Sequence, residues 1–311
     1  MIKRASELDF SAKRFTLIIA GSPGLGKTTL ALSAPEPLLF DFDGGISRVK
    51  AEHRRLTSTV DSYEDMLADM DTEEYRAAES IIIDTGGSLV QAMQPWAKKQ
   101  DAKAARDGRA MFGVIKREFD RLCAQIRRDG KNLIVIFHTT EQTKGDVVTQ
   151  RLSCEGGSKD IVWTPADFGG CMFMMGNKRV IGFTPTEEYF AKGCFGVTGV
   201  REIPQLKPGE PNDYLTRLFD EARANIAAEA EQYSVQRAAY DAAMQAGREI
   251  IGGVTDAASA TAALDRLKAI THGLTSRAEL HALMTGRCSE LHIHYDKGAK
   301  AYVDEGIAKP D

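Results

Sequence analysis

The 311-residue sequence is most informative at first through what it lacks. No apolar run approaches the ~18 residues that a membrane-crossing helix needs. The opening stretch "MIKRASELDFSAKRF" has no apolar core of the kind a secretory signal carries. Only five cysteines occur (Cys123, Cys154, Cys171, Cys194 and Cys288), with no C-x-x-C pair and no zinc-ligand spacing. This argues against a disulfide framework or a zinc module and fits free thiols in a reducing cytoplasm, the compartment expected for the chain. Net charge is small, −4, so composition gives no case for bulk attraction to nucleic acid, and any basic track must be local. What is present is ordinary for a soluble globular protein: 43% hydrophobic and 27% charged residues, enough for one large domain or a domain with an appendage.

Short apolar runs alternate with segments of helical period up to about residue 205. "FTLIIAG" (15–21), "PLLFDF" (37–42), "SIIID" (80–84) and "NLIVIFH" (132–138) read as strands buried on both faces, and "KTTLALSA" (27–34) as a helix leaving the first. Val114, Phe119, Leu122 and Ile126 recur at helical spacing, with Gly130 placed to stop that helix. Such alternation predicts an α/β fold with a mostly parallel central sheet. Between 139 and 200 the chain turns polar and glycine-punctuated. It predicts a hairpin-like excursion around 141–155 and two strands about Gly176-Asn177.

The proline-rich "IPQLKPGEPND" (203–213) has linker composition and sets a division into 1–205 and an α-helical C-terminal extension, 206–311. Beyond it one long helix is expected to end near Gly247. A second follows over "ATAALDRLKAITHG", and a third starts at Ser276 with Glu279 completing a capping box. From residue 207 onward, 12 Lys/Arg stand against 16 Asp/Glu, so this tail carries the whole −4 and is a poor DNA track by itself.

"GSPGLGKT" (21–28) matches G-x-x-x-x-G-K-[ST] after a strand and at the start of a helix, the context that the phosphate-binding loop of nucleotide hydrolases requires. Its glycines let backbone N–H groups face phosphate oxygens. ATP with Mg2+ is the expected ligand. Gly21, Ser22, Pro23, Gly24, Leu25, Gly26, Lys27, Thr28 and Thr29 would form the cradle, Lys27 reaching the β- and γ-phosphates and Thr28 holding the metal through its hydroxyl. Asp84, at the tip of "SIIID", is the expected metal partner on the Walker B strand. The plainer reading is a strand-ending aspartate.

Thr85 follows Asp84 where AAA+ motors place a glutamate, so the base must come from elsewhere. "LLFDFDGG" (38–45) ends on the rim where ligands of open α/β sheets bind. Asp43 is the candidate to orient a water, with Asp41 an open alternative and turn formation the plainer role for both. His138 ends "NLIVIFH" and would face the γ-phosphate if its strand lies between the Walker A and Walker B strands. A structural histidine is the alternative.

"GSPGLGKTT", "DFDGG", "IIIDT", "GKNLIVIFH" and "AKGCFG", in that order over roughly residues 13–200, resemble the RecA-core ATPases. The closest likeness is to phage-encoded nucleotide-binding proteins, including Sak-type single-strand annealing ATPases with a trimmed RecA/RadA core. This resemblance implies a RecA-like P-loop core, ATP hydrolysis, homo-oligomers, and single-stranded DNA as partner, with a single-strand-binding or replication protein as a further one. It also implies that Lys192, in "AKGCFG", acts on a neighbouring subunit's γ-phosphate. Two positions depart from the family pattern: Asp43 stands where glutamate is usual, and Cys194 where arginine is. DNA contact by the same resemblance falls on 139–160, with Lys144, Arg151 and Lys159 as cations and Trp163 as the nearby aromatic; a solvated loop explains that stretch nearly as well. An ATP-gated scaffold recruiting a replication protein through the helical tail is the alternative function. A small-molecule kinase fits less well, because the only close arginine pair after Asp84 is on the helix at "IRRDG".

Overall fold

A computed structural model describes residue 10 and residues 12–144, 147–153 and 163–304, the side chains of 143–148 excepted. Two compact units are formed, one by Asp9–Ile226 and one by Met1–Leu8 with Ala227–Asp311. The division therefore falls after Ile226 and not at the 205/206 linker. Leu215, Leu218, Phe219 and Ala222 bury themselves in the core of the first unit, so the linker-like composition marks an irregular path and not an edge.

The first unit is built on a nine-stranded sheet. Its strands are β1 (Thr16–Gly21), β2 (Pro37–Asp41), β3 (Leu56–Thr59), β4 (Ser80–Asp84), β5 (Asn132–Lys144), β6 (Val147–Leu152), β7 (Phe168–Met175), β8 (Lys178–Gly182) and β9 (Val200–Glu202). The order is β3-β2-β4-β5-β1-β7-β8-β9, with β6 paired to β5. Every pairing from β3 to β7 is parallel; β8, β9 and β6 add antiparallel edges.

Side-chain alternation explains why the central strands are apolar throughout. Ile18, Phe40, Ile81, Ile83, Leu133 and Val135 point into one core, whereas Leu17, Ile19, Leu39, Ile82, Ile134 and Ile136 point into the other. Helices α2 (Tyr63–Asp69), α4 (Gly86–Gln100) and α5 (Gly108–Arg128) cover the first face. On α5 the buried residues Met111, Val114, Ile115, Phe119, Leu122 and Ile126 form one stripe at helical spacing. The short α1 (Lys27–Ala31) and the start of the helix Tyr214–Gly252 cover the second. The sheet is thus α/β and mostly parallel, with β5 between the strand that feeds the phosphate loop and the strand that ends in Asp84.

The expected excursion is an antiparallel β5–β6 hairpin, in register from Thr139 opposite Leu152. Lys159 lies outside the described residues, as does the side chain of Lys144. Among elements the sequence reading did not delimit are β3, α2, α3 (Glu73–Ala77) and α4.

The second unit contains the remainder of the helix Tyr214–Gly252, the helices Ala257–Lys268 and Ser276–Glu290, and a hairpin of β10 (Ile293–Asp296) and β11 (Ala301–Asp304). Two expectations are corrected here. Gly247 does not end its helix; a Cβ there would stand 2.3 Å from Leu280, so the glycine allows close helix packing instead of termination. Ser276 is not an N-cap: Thr275 occupies that position, Ser276 is fully buried, and its hydroxyl lies 3.1 Å from His272 Nδ1.

Candidate nucleotide site

Register brings the site's strand ends to one rim. Asp41 on β2 stands opposite Asp84 on β4, and Gly21 at the end of β1 opposite His138 on β5 and Met172 on β7. Between β1 and α1 the loop Ser22–Gly26 turns through Gly24 and Gly26, at φ 83° and 80°, a region that glycine alone enters at no steric cost. Lys27 opens α1 and is 5% exposed. Its ammonium donates to the carbonyls of Gly21 and Ser22, both at 2.9 Å, and stands 3.3 Å from His138 Nδ1. Burial lowers the Lys27 pKa, while the charges of Asp84 and Asp43 oppose that shift.

Thr28 donates its hydroxyl to Asp84 Oδ2 at 2.6 Å. Asp84 is 4% exposed, and burial raises its pKa to about 6; the Thr28 hydrogen bond opposes the rise, and the neighbouring charges of Asp41 and Asp43 add to it. A cation would relieve this crowding of carboxylates. Among the described residues no cluster of three or more His, Cys, Asp or Glu could hold a metal alone. Magnesium fits here in its usual manner, on one hydroxyl and one carboxylate completed by phosphate oxygens and water. Gly45 keeps that space open: a Cβ at this position would lie 3.0 Å from Asp84 Oδ2 and 3.4 Å from Thr28 Oγ1.

The two acids of "DFDGG" separate by role. Asp41 is buried and accepts from the backbone N–H groups of Gly45 (2.8 Å), Ile46 (2.9 Å) and Asp43 (3.2 Å), which makes it the cap of the turn after β2. Asp43 turns to the phosphate side. Its Oδ2 lies 3.7 Å from His138 Nε2, and its Oδ1 accepts a short hydrogen bond from the Ser88 hydroxyl. Burial and the Lys27 charge lower the His138 pKa, with Asp43 pulling the other way, so the ring is held neutral at pH 7. A neutral ring with Nδ1 toward Lys27 carries its proton on Nε2, toward Asp43.

Thr85, standing where a glutamate would serve an AAA+ motor, has a different task. It follows a cis peptide after Asp84 and caps α4, accepting from Ser88 N at 3.2 Å, and its hydroxyl meets the Ser88 hydroxyl at 2.9 Å. Ser88 is therefore fixed by the cap and passes that order to Asp43. Sequence reasoning missed Ser88; the T-x-x-S spacing at a helix start was the available signal.

Lys192 is not gathered with these groups. Its backbone pairs with Gly169, three residues before Met172 on β7, and its ammonium donates to the Thr164 carbonyl at 3.2 Å. Three other cations, which the sequence reading passed over, stand beside the loop. Arg48, Lys50 and Arg179 line a cavity of about 260 Å3 that also touches Gly26, Thr29, Pro204 and Tyr214. The charge of Arg48 is felt at His138, and a Cβ on Gly26 would lie 2.9 Å from the Arg179 guanidinium.

Residues 13–195 match the model of a family described as AAA domain. The chain belongs to that family. The AAA domain match and the geometry together make this a P-loop ATPase domain with a site for ATP, whereas the sequence reading had set the chain apart from AAA+ motors on the strength of Thr85. Among solved structures, a KaiC-like protein from the hyperthermophilic archaeon Pyrococcus horikoshii OT3 is similar at 14% identity and a TM-score of 0.34, covering 61% of this chain and 89% of that one. No curated protein matches the chain. Among the described residues no helix is long and apolar enough to cross a membrane.

Proposed function

We propose that this protein hydrolyses ATP and acts on single-stranded DNA, as a RecA-like ATPase of phage recombination, annealing or replication that works as a homo-oligomer. The observation that carries the hydrolytic part is the placement of Asp43. It lies two residues past the end of β2, the strand next to that of Asp84, and is held by Ser88 and His138 beside the lysine that would meet the γ-phosphate. Lys27, released from the Gly21 and Ser22 carbonyls, would bind β- and γ-oxygens; Thr28 and Asp84 would hold magnesium, whose charge neutralises the phosphates when bound. Asp43 then accepts a hydrogen bond from water and aims it along the line of displacement, and His138 positions Asp43 and follows the presence of the γ-phosphate through Lys27.

The DNA part is supported by the ordered motifs over roughly residues 13–200 and by the cation-bearing β5–β6 hairpin. ATP hydrolysis measured with and without single-stranded DNA tests the whole reading. The expected result is magnesium-dependent turnover that DNA raises and Lys27→Ala removes. Turnover indifferent to DNA at low salt would leave an ATPase with another client.

One observation favours a second reading, an ATP-gated scaffold that recruits a replication or single-strand-binding protein. The unit containing residues 227–311 holds 9 Lys/Arg against 12 Asp/Glu over that stretch. Yet its groove of about 590 Å3 is lined by Leu264, Leu267, Leu280, Met284, Lys268 and Arg277 among others, with no carboxylate. An apolar floor with a basic rim suits an acidic, apolar peptide segment. Pull-down of replication proteins by the full-length chain, lost on Arg277→Glu, supports this reading; retrieval of none removes it.

A further inference from the structure

Side chains alternate along residues 188–192. Tyr189 and Ala191 turn inward and are buried with Cys171. Phe190 turns outward and is 46% exposed, and Lys192 shares its row. The segment is pinned by two backbone bridges, Gln150 to Tyr189 and Gly169 to Lys192. Two side chains from elsewhere converge on Phe190. Arg151 of β6 places its guanidinium 4.6 Å from the ring centroid, and Trp163 meets the ring edge-on at 6.5 Å and 78°. The indole has space reserved for it, since a Cβ on Gly169 would stand 2.6 Å from the Trp163 ring. Lys192 donates to the Thr164 carbonyl beside that indole. Two rings and two cations from three separate segments thus meet at one place on the surface, Phe190 and Arg151 exposed and Trp163 and Lys192 partly buried beside them. Neither Arg151 nor Lys192 has a carboxylate partner among the described residues.

We propose that Phe190, braced edge-on by Trp163, forms a base-stacking platform for single-stranded nucleic acid, with Arg151 and Lys192 taking the flanking phosphates. Every base offers a π-face, so an exposed ring accepts bases without reading sequence, and adjacent cations hold the backbone. A duplex hides those faces in its own stack and cannot use the ring. Glu188, at the end of the outward row, repels phosphate and bounds the track on that side. On the inward side, Tyr189 lines a cavity shared with Ser22 and Leu25 of the phosphate loop, so the platform and the nucleotide site lie on opposite sides of one short segment. The inference rests on the proposed action on single-stranded DNA, but uses none of the residues gathered around this chain's own phosphate loop, and it gives Lys192 a nucleic-acid phosphate in place of a neighbouring subunit's γ-phosphate.

The test uses the full-length chain with Trp96→Phe, which leaves Trp163 as the sole tryptophan of the two in the sequence. It is titrated with an oligothymidine of about 20 nucleotides, longer than the ~4–16 that one compact module covers. Binding should quench Trp163 fluorescence. Phe190→Ala should weaken binding between about 5-fold and about 140-fold, the range of one lost stack, and Phe190→Tyr should restore most of it. Arg151→Gln should flatten the salt dependence of log K by about 0.7, the value of one phosphate contact on a single strand. Equal binding by wild type and Phe190→Ala, or equal quenching by a duplex, overturns the platform and leaves DNA action standing. Failure of the wild-type chain to bind the oligothymidine overturns both.

Discussion

The two units of this chain bury different things. Among the described residues, the charged groups excluded from solvent, Lys27, Asp41, Asp84, Glu118 and Lys131, all belong to the unit of Asp9–Ile226. The other unit buries aliphatic residues, methionines and a cysteine, and Ser276 is its one fully buried polar side chain among those described. Its ions lie on the surface as i,i+3 and i,i+4 pairs such as Arg237–Asp241 and Arg287–Glu290, where solvent screens them and leaves little net stabilisation. Burying a charge costs stability unless something compensates. Glu118 is compensated by Arg121 and the Tyr63 hydroxyl, and Lys131 by the carbonyls of Arg76 and Ala78, both away from the C-terminal ends of β1, β2 and β4. Lys27, Asp41 and Asp84 instead crowd that one rim, where the raised pKa of Asp84 marks a charge that a bound cation would compensate. Function is localised by that asymmetry independently of any motif.

The sharpest way to break the comparison is to remove the one acid whose place is chemical and not structural. Asp43 contributes no cap and no core packing, and its partners are Ser88 and His138. Asp43→Asn should lower kcat about 10²- to 10⁴-fold, the usual worth of a positioned general base, with ATP affinity within about threefold of wild type. Single-turnover kinetics beside equilibrium nucleotide binding separates the two quantities. A kcat unchanged in Asp43→Asn assigns water orientation to another group.

In the other unit the largest effect should be purely mechanical. Leu280 packs on Gly247 in the apolar core, and Leu280→Ala leaves a cavity at a helix–helix contact that costs about 2–5 kcal/mol. Denaturant unfolding should show this loss, while magnesium-ATP binding by the same variant stays at the wild-type value. Loss of nucleotide binding in Leu280→Ala would show that the two units are not independent in energy.

Asp84 joins the two halves of the comparison. Its carboxyl is raised from 3.8 to about 6 by burial first, and by its acidic neighbours. A raised carboxyl makes the folded chain bind a proton that the unfolded chain releases. Stability therefore falls as pH rises from about 4 to about 6, and the deficit persists at pH 7. Asp84→Asn removes it, so the ligand-free variant should be more stable than wild type at pH 7 by up to about 3 kcal/mol, and equal to it near pH 4. The same substitution should abolish magnesium-dependent turnover. Thermal melts across that pH range decide the point, and a variant less stable than wild type at pH 7 contradicts the burial argument.

Much of this was legible in the sequence because it is local. The glycine-lysine-threonine loop, the β-branched runs of β1, β4 and β5 and the alanine-rich helices are set by short-range chemistry, and the ordering of these strands implied the rim on which Asp43, Asp84 and His138 meet. What could not be read depends on contacts far apart in the chain. The division after Ile226 follows from Leu215, Leu218 and Phe219 reaching a core whose other members, such as Phe15, Leu39, Ile82, Ile134 and Phe168, lie far back in the chain. The packing role of Gly247 needs Leu280, and the choice between Asp41 and Asp43 needs the direction of a turn. The aromatic partner of Trp163 was also hidden, because Phe190 lies on a different segment and its outward direction follows only from the pairing of Tyr189 and Lys192.

The smallest expected effect is also the most specific to this chain. Ser88 touches neither phosphate loop nor metal residues; it ties Asp43 to the cap made by Thr85. Ser88→Ala keeps the helix, because Thr85 still accepts from the backbone at position 88, and costs one hydrogen bond to a charged group, about 1.5–3 kcal/mol at most when that group has no substitute. Partly exposed Asp43 can turn to water, so most of that loss should appear as misorientation in the transition state and not as instability: kcat down about 3- to 10-fold, KM for ATP unchanged, Tm within about 2 °C. Ser88→Thr retains the hydroxyl and should recover most of the rate. A Ser88→Ala enzyme with wild-type kcat would mean that Asp43 is held by His138 alone, and Thr85 would then be a helix cap and nothing more.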